Sequence, residues 1–218
     1  MYGVRFMRRT KYEKILTVAP NLMAKKGYDG TSFQDIADKV GLHKSSLFHY
    51  FKNKEELLLK ILETPIDEVS RKLEEIISDN KLAPEEKFRR ALSNHLTLLT
   101  RYLDNVSVYL NDLRCLTKRN RSLYMQKRKQ YEKDFQRIVA EMGTKGYFSG
   151  CDQHVSTFAV LGMLNWVAKW YKKDGPLSIE EIGDTFCRLV LHQDKNQHKN
   201  QDKQDIKSRQ DRNLKIAK

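Results

Sequence analysis

The 218-residue sequence predicts an all-α protein in two parts, three short helices forming a helix-turn-helix and then a larger helical domain. Three observations lead to that reading. Apolar residues recur at three- and four-residue spacing along most of the chain, the period of a helix with one buried face. Capping pairs of the S-x-x-D/E type open those stripes and glycines close them. Alternating strand patterns, glycine-rich phosphate loops, H-E-x-x-H and G-x-S-x-G motifs do not occur.

The first stripe, Ile15, Leu16, Ala19, Leu22 and Met23, lies between Lys11 and Lys26 and stops at Gly27. Pro20 interrupts it and is expected to bend the helix. Ser32 with Asp35 then caps a second helix whose inner face is Phe33, Ile36, Ala37 and Val40, and Gly41 supplies the left-handed residue that ends it. Leu42, Leu47 and Phe51 form the apolar side of the next helix, leaving Lys44, Ser45, Ser46, His49 and Tyr50 facing out. Helix, glycine turn and helix is the arrangement in which the second helix enters the DNA major groove, and hydroxyl, amine and aromatic groups suit base edges and phosphates. A helical hairpin with an ordinary solvated face fits the pattern equally well. Asn53 with Glu56 caps the following helix and leaves Lys54 in its first turn, beside free N–H groups that attract phosphate. The candidate DNA-binding residues are therefore Thr31, Ser32, Lys44, Ser45, Ser46, Phe48, His49, Tyr50 and Lys54.

With these residues in place, the run KILTVAPNLMAKKGYDGTSFQDIADKVGLHKSSLFHYFKNKEELL resembles the N-terminal domain of TetR-type transcriptional repressors. The match lies in Ala19, Gly27-Tyr28, Thr31-Ser32, Ile36-Ala37, Gly41, Leu47, Phe51 and Lys54-Glu55. His43 departs from the serine or threonine cap common in that family, and Pro20 from its leucine.

Composition agrees with a polyanion partner. Lys and Arg number 41 against 28 Asp and Glu, a formal net charge of +13. Cys115, Cys151 and Cys187 form no C-x-x-C pair, which suits a reducing cytoplasm and argues against a disulfide framework or structural zinc. Neither a signal-peptide core nor a membrane-spanning stretch is found. No metal or cofactor is expected, and no catalytic group of nucleophile, base and orienting residue can be named, so an enzyme is disfavoured. The expected division is residues 1–54 as the helix-turn-helix domain, 55–192 as the helical effector and dimerisation domain, and 193–218 as a flexible basic tail. Arg5, Arg8 and Arg9 form either a DNA-reaching arm or a frayed terminus.

In the larger domain, Leu57, Leu58, Ile61, Leu62, Ile66, Val69, Leu73, Ile76 and Ile77 continue one stripe across Pro65, which should kink or split the helix. Pro84 opens another helix with Phe88, Ala91, Leu92, His95, Leu96, Leu99, Tyr102 and Leu103 inward. Arg114 to Lys133 is densely basic, by default a solvated face. Val155, Phe158, Ala159, Gly162, Met163, Trp166, Val167 and Trp170 form one apolar face of the next helix, while Leu161, Leu164, Ala168 and Tyr171 form another. Two apolar faces imply burial on two sides, one against a cavity and one against a second subunit. Ile179, Ile182, Phe186, Leu189 and Val190 stripe the last helix, capped by Ser178 with Glu181.

Gly146-Tyr147-Phe148 followed by GMLNWVAKWYKKDGPLSIEEIGDTF is similar to effector domains of TetR-type repressors of fatty-acid and sterol breakdown. That resemblance implies an apolar pocket with cations at its mouth for an acyl-coenzyme A thioester, the basic run meeting the phosphates. Candidate ligand residues are His95, Leu99, Tyr102, Arg121, Arg128, Phe158, Met163 and Trp166, and candidate dimer residues are Leu161, Leu164, Phe186, Leu189 and Val190. The expected protein is a homodimeric repressor that binds double-stranded operator DNA and leaves it when a small apolar molecule binds. The competing readings are a multidrug-type repressor sensing aromatic or cationic compounds and a non-specific nucleic-acid-binding protein.

Overall fold

The computed structural model describes residues 10–191 and is helical throughout. In order come α1 (Lys11–Lys26), α2 (Phe33–Val40), α3 (Lys44–Leu47), α4 (Lys54–Ser78), α5 (Pro84–Arg101), α6 (Leu103–Asp112), a 3-10 turn (Leu113–Cys115), α7 (Lys118–Gly143) and α8 (Gln153–Trp170). A ninth helix, α9, covers 179–191. No strand occurs among the described residues. Arg5, Arg8, Arg9 and the tail expected at 193–218 lie outside them.

Helix starts follow the caps. Thr10 and Glu13 form a reciprocal capping box at α1, Ser32 and Asp35 another at α2, and the Asp152 carboxylate accepts from the Val155 N–H at α8. At the end of α2, Gly41 adopts φ 72°, ψ 44°; its N–H and that of Leu42 donate back to Asp38 and Ala37. That paired closure needs a left-handed residue, which glycine adopts without a Cβ penalty.

Packing groups the chain into two units that do not follow the linear boundary at residue 54. Among the described residues, one contains 10–72 with Leu98–Lys133, the other Leu73–Thr97 with 134–191. The first unit is centred on Ile15, Ala19, Met23, Ile36, Leu47, Leu57, Leu58 and Ile61, all essentially buried. α1 packs on both α2 and α6, and Asn21 Nδ2 donates to Asp104 across the latter contact at 3.0 Å. The second unit is centred on Leu73, Phe88, Leu92, Phe135, Ile138, Met142, Leu164 and Val167, with His95 buried beside them. Buried Lys87 lies in this unit, its Nζ donating to the Ile77 carbonyl at 3.0 Å and pairing with Glu141 at 3.0 Å.

Of the two outcomes expected at Pro65, the split does not occur: α4 runs unbroken for 25 residues with Pro65 inside it, and buried Asn105 replaces the missing donor, its Nδ2 reaching the Ile61 carbonyl at 2.8 Å. Pro20 likewise lies inside an unbroken α1. The expectation that changes is the orientation of α8. Its buried face is Ser156, Thr157, Val160, Leu161, Leu164 and Val167, whereas Val155, Phe158, Ala159, Gly162, Trp166 and Trp170 are exposed. Leu161 and Leu164 are thus core residues of their own unit rather than interface residues, and Phe158 and Trp166 do not point inward. Side-chain bulk alone pointed to the opposite orientation. Ser156 and Thr157 can be buried because their hydroxyls donate to the Asp152 and Gln153 carbonyls one turn back, each at 2.8 Å.

Candidate nucleic-acid interface

The segment expected to read DNA is shorter than a full helix. α3 makes one α-turn, then tightens: the N–H groups of His49 and Tyr50 donate three residues back, to Ser46 and Leu47. His43 provides no side-chain cap at its start, so nothing local extends the helix. Tertiary contacts hold it instead. Leu47 and Phe51 are buried, Phe48 rests on Phe33 with ring centroids 5.1 Å apart, and Tyr12 stacks on Phe51 at 5.6 Å and meets Tyr50 at 6.2 Å. This leaves Lys44, Ser45, Phe48, His49 and Tyr50 exposed and Ser46 half-exposed on one short convex turn. An exposed pair of aromatic rings among hydroxyl, amine and imidazole groups can reach base edges, methyl groups and phosphates together.

Two of the expected contact residues are occupied inside the fold. Thr31 is fully buried and its hydroxyl donates to the Gly27 carbonyl at 2.9 Å, so its side chain closes the α1–α2 loop rather than facing a ligand. Lys54 Nζ donates to the carbonyls of Tyr28 at 2.9 Å and Thr31 at 3.1 Å and sits 4.2 Å from the centre of the Tyr28 ring. The ammonium therefore pins that loop to the start of α4. The caps of α4 are also in use: Asn53 Oδ1 accepts from the Glu56 N–H, and the Glu56 carboxylate from the Lys52 N–H. Ser32 is exposed but its hydroxyl and N–H both meet the Asp35 carboxylate, which they hold well below the usual carboxylate range, helped by Lys26 at 3.1 Å.

Sequence reasoning missed the carboxylate of Glu55. It accepts from the Thr117 N–H at 2.9 Å and from Asn120 Nδ2 at 2.7 Å, tying the first turn of α4 to the first turn of α7 and holding the carboxyl below its usual range. Only the tertiary fold brings residues 62 positions apart together.

The expected ligand residues are not assembled within either unit. Leu99, Tyr102, Arg121 and Arg128 belong to the first, and His95, Phe158, Met163 and Trp166 to the second. Tyr102 Oη donates to Glu68 at 2.7 Å. The Arg121 guanidinium donates to the Arg114 and Leu116 carbonyls, and Arg128 lies 4.4 Å from the Tyr109 ring centre, so neither is a free cation. In the second unit a cleft of about 250 Å³ opens between α5 and α9, floored by Gly183 and Cys187 and rimmed by Arg89, Arg90, Glu180 and Asp184. A Cβ on Gly183 would stand 3.4 Å from Leu96, so the two helices approach closely there. Of the expected dimer residues, Leu189 is exposed and Phe186 and Val190 are half-exposed on α9. Among the described residues no cluster of histidine, cysteine or carboxylate could hold a metal ion, and no helix is long and apolar enough to cross a membrane.

A glycine-turned helix-turn-helix followed, among the described residues, by helices alone is the architecture of a DNA-binding regulator of transcription. Comparison with known proteins gives the family. The family model described as "Bacterial regulatory proteins, tetR family" matches residues 15–61, and "Tetracyclin repressor-like, C-terminal domain" matches residues 81–193. The chain belongs to the TetR family. It is 26% identical to the transcriptional repressor KstR2 of Mycolicibacterium smegmatis over 84% of this chain and 89% of that protein. Among solved structures it is similar to the TetR-family regulator PfmR of Thermus thermophilus, with 31% identity, a TM-score of 0.74, and coverage of 82% of this chain and 97% of that one. AibR, solved in complex with isovaleryl coenzyme A and operator DNA, is 30% identical with a TM-score of 0.72, over 83% of this chain and 98% of its own. KstR2 and PfmR are described as a transcriptional repressor and a transcriptional regulator, not as enzymes.

Proposed function

We propose that the protein is a homodimeric repressor that reads an operator with the exposed turn of α3 and releases it on binding an acyl-coenzyme A thioester. The observation that carries the reading is the surface of Ser45, Phe48, His49 and Tyr50, raised on a turn that is itself anchored by buried Leu47 and Phe51. Residues 1–54 are the DNA-reading segment in this proposal. Ser32 and Lys54 take supporting parts, the first capping α2 and the second fixing the loop that precedes it.

The likeness to KstR2 supports repression, and the ligand in the AibR complex supports an acyl thioester effector. The dimer is proposed to form on α8 and α9, where Val155 and Trp166 are each 65% exposed and Leu189 is 53% exposed. Two-fold symmetry then sets two recognition turns about 34 to 36 Å apart, one helical turn of DNA. An effector acts only through unequal affinity for the operator-bound and released arrangements.

The test is selection of duplexes from a random library followed by titration of the bound complex with isovaleryl and palmitoyl coenzyme A, palmitate, and an aromatic cation. Release by the thioesters is expected. Release by the aromatic cation alone transfers the protein to the multidrug-type class, and failure to recover any preferred duplex defeats the operator reading.

A further inference from the structure

We propose that the first half of α7 is a second, sequence-independent DNA contact, a basic strip that grips duplex flanking the site read by α3; this rests on the operator-binding reading. From Arg114 to Lys133 the chain carries eight basic residues and one acidic, Glu132. Half of those cations have internal uses. Arg121 meets two backbone carbonyls, Lys127 pairs with Glu63 at 3.1 Å and Asp67 at 2.7 Å, Arg128 lies on Tyr109, and Arg114 interacts with Cys115. Lys118, Arg119, Lys129 and Lys133 are exposed and have no side-chain partner among the described residues.

Their placement is unfavourable for the isolated chain. Lys118, Arg119 and Arg121 crowd the first turn of α7, which contains no acidic residue, so three cations face the positive end of the helix dipole and one another. The Glu55 carboxylate is the one countercharge that the hydrogen bonds place there among the described residues. A phosphate backbone would relieve that repulsion, and the uncompensated strip is the electrostatic footprint of such a partner.

Geometry selects duplex DNA over free coenzyme A as the source of phosphate. Lys118, Lys129 and Lys133 fall within about 60° around the α7 axis and span about 22 Å, the reach of several consecutive phosphates rather than one nucleotide. The strip also starts beside the recognition segment. Glu55 holds the first turn of α7, and the chain from Tyr50 to Lys54 covers at most about 14 Å. Strip and recognition turn belong to the same compact unit.

The experiment measures the salt dependence of binding to a 50-base-pair duplex of random sequence, about that length sufficing to cover site and flanks. Three proteins are compared: the unmodified chain, K118A/R119A, and K172A/K173A, which removes two exposed lysines from the second unit. The slope of log affinity against log salt should flatten by about two for K118A/R119A and stay unchanged for K172A/K173A. An unchanged slope in K118A/R119A overturns the proposal, as does an equal flattening in both variants. Loss of coenzyme A binding by K118A/R119A with the slope intact also overturns it, assigning the strip to the effector. A protein with no preferred sequence defeats the reading by α3, while the slopes still decide the role of α7.

Discussion

Asn105 donates its side-chain amide to the Ile61 carbonyl, the acceptor that Pro65 leaves without its helical partner. A buried carbonyl deprived of a donor costs about 1–3 kcal/mol, which is the expected loss in N105A. In a P65A background the backbone at position 65 regains an N–H for Ile61, so N105A should cost markedly less there. Urea unfolding of the four proteins completes the cycle; additive losses would mean that the amide acts elsewhere.

Lys54 holds two loop carbonyls and one ring, so K54A should lower stability by about 2 kcal/mol, the scale of hydrogen bonds to a charged donor. DNA binding should weaken for all sequences alike as the Tyr28–Thr31 loop loosens. Unchanged thermal stability together with a salt slope flattened by about one would identify the ammonium as a phosphate contact.

Substitution of the exposed recognition residues should act on preference. Alanine at Ser45, His49 or Tyr50 is expected to change discrimination at individual base pairs by about 1–3 kcal/mol each while leaving the melting temperature near that of the parent. Competition among single-base variants of the selected duplex measures this. A uniform loss across all variants would place those side chains on the backbone instead.

The orientation of α8 separates two substitutions that the apolar pattern alone would exchange. L164A removes a fully buried side chain and should cost about 2–5 kcal/mol of stability. W166E alters an exposed one, and its expected effect is a monomer in sedimentation with nearly intact unfolding of each chain. If W166E remains as associated as the parent, the proposed α8 contact is mistaken.

Stability should fall in acid and in strong base for identifiable reasons. Asp35, Glu55 and Glu181 are held below their usual range by hydrogen bonds from Ser32, Thr117 and Ser178 respectively. A lowered folded value stabilises above the unfolded one, so these contributions are complete at neutral pH and vanish as pH drops below about 4. Tyr102 is shifted the other way, to about 12, first by burial and then by its bond to Glu68. Its contribution is whole below pH 10 and is lost as pH rises from 10 through 12. Melting temperatures across the range from about pH 2 to about pH 12 should show both flanks, and S32A should soften the acid one.

What the sequence conveyed was mostly local. The capping pairs at Ser32 and Ser178, the turn at Gly41 and the inner stripes of α1 and α2 depend on near neighbours along the chain, and the fold has them. Interactions set by tertiary contact were hidden. Nothing near Pro65 announces Asn105, nothing near Glu55 announces Thr117, and the burial of Ser156 and Thr157 reverses a face chosen by side-chain size. The outward positions of α3 and the turn after it were legible as such, whereas the use of Thr31 and Lys54 inside the loop needed three-dimensional neighbours.

Lys54 and Glu55 are consecutive, yet one grips the loop before α2 and the other the start of α7. Each grip depends on the angular position of its residue about the α4 axis, and one inserted or deleted residue turns that position by about 100°. The stretch should therefore accept chemical variation more readily than any change in length. A library of single-residue insertions would register this as a gap at 52–57 flanked by tolerant positions in the loops, a frame marker independent of which side chains are present.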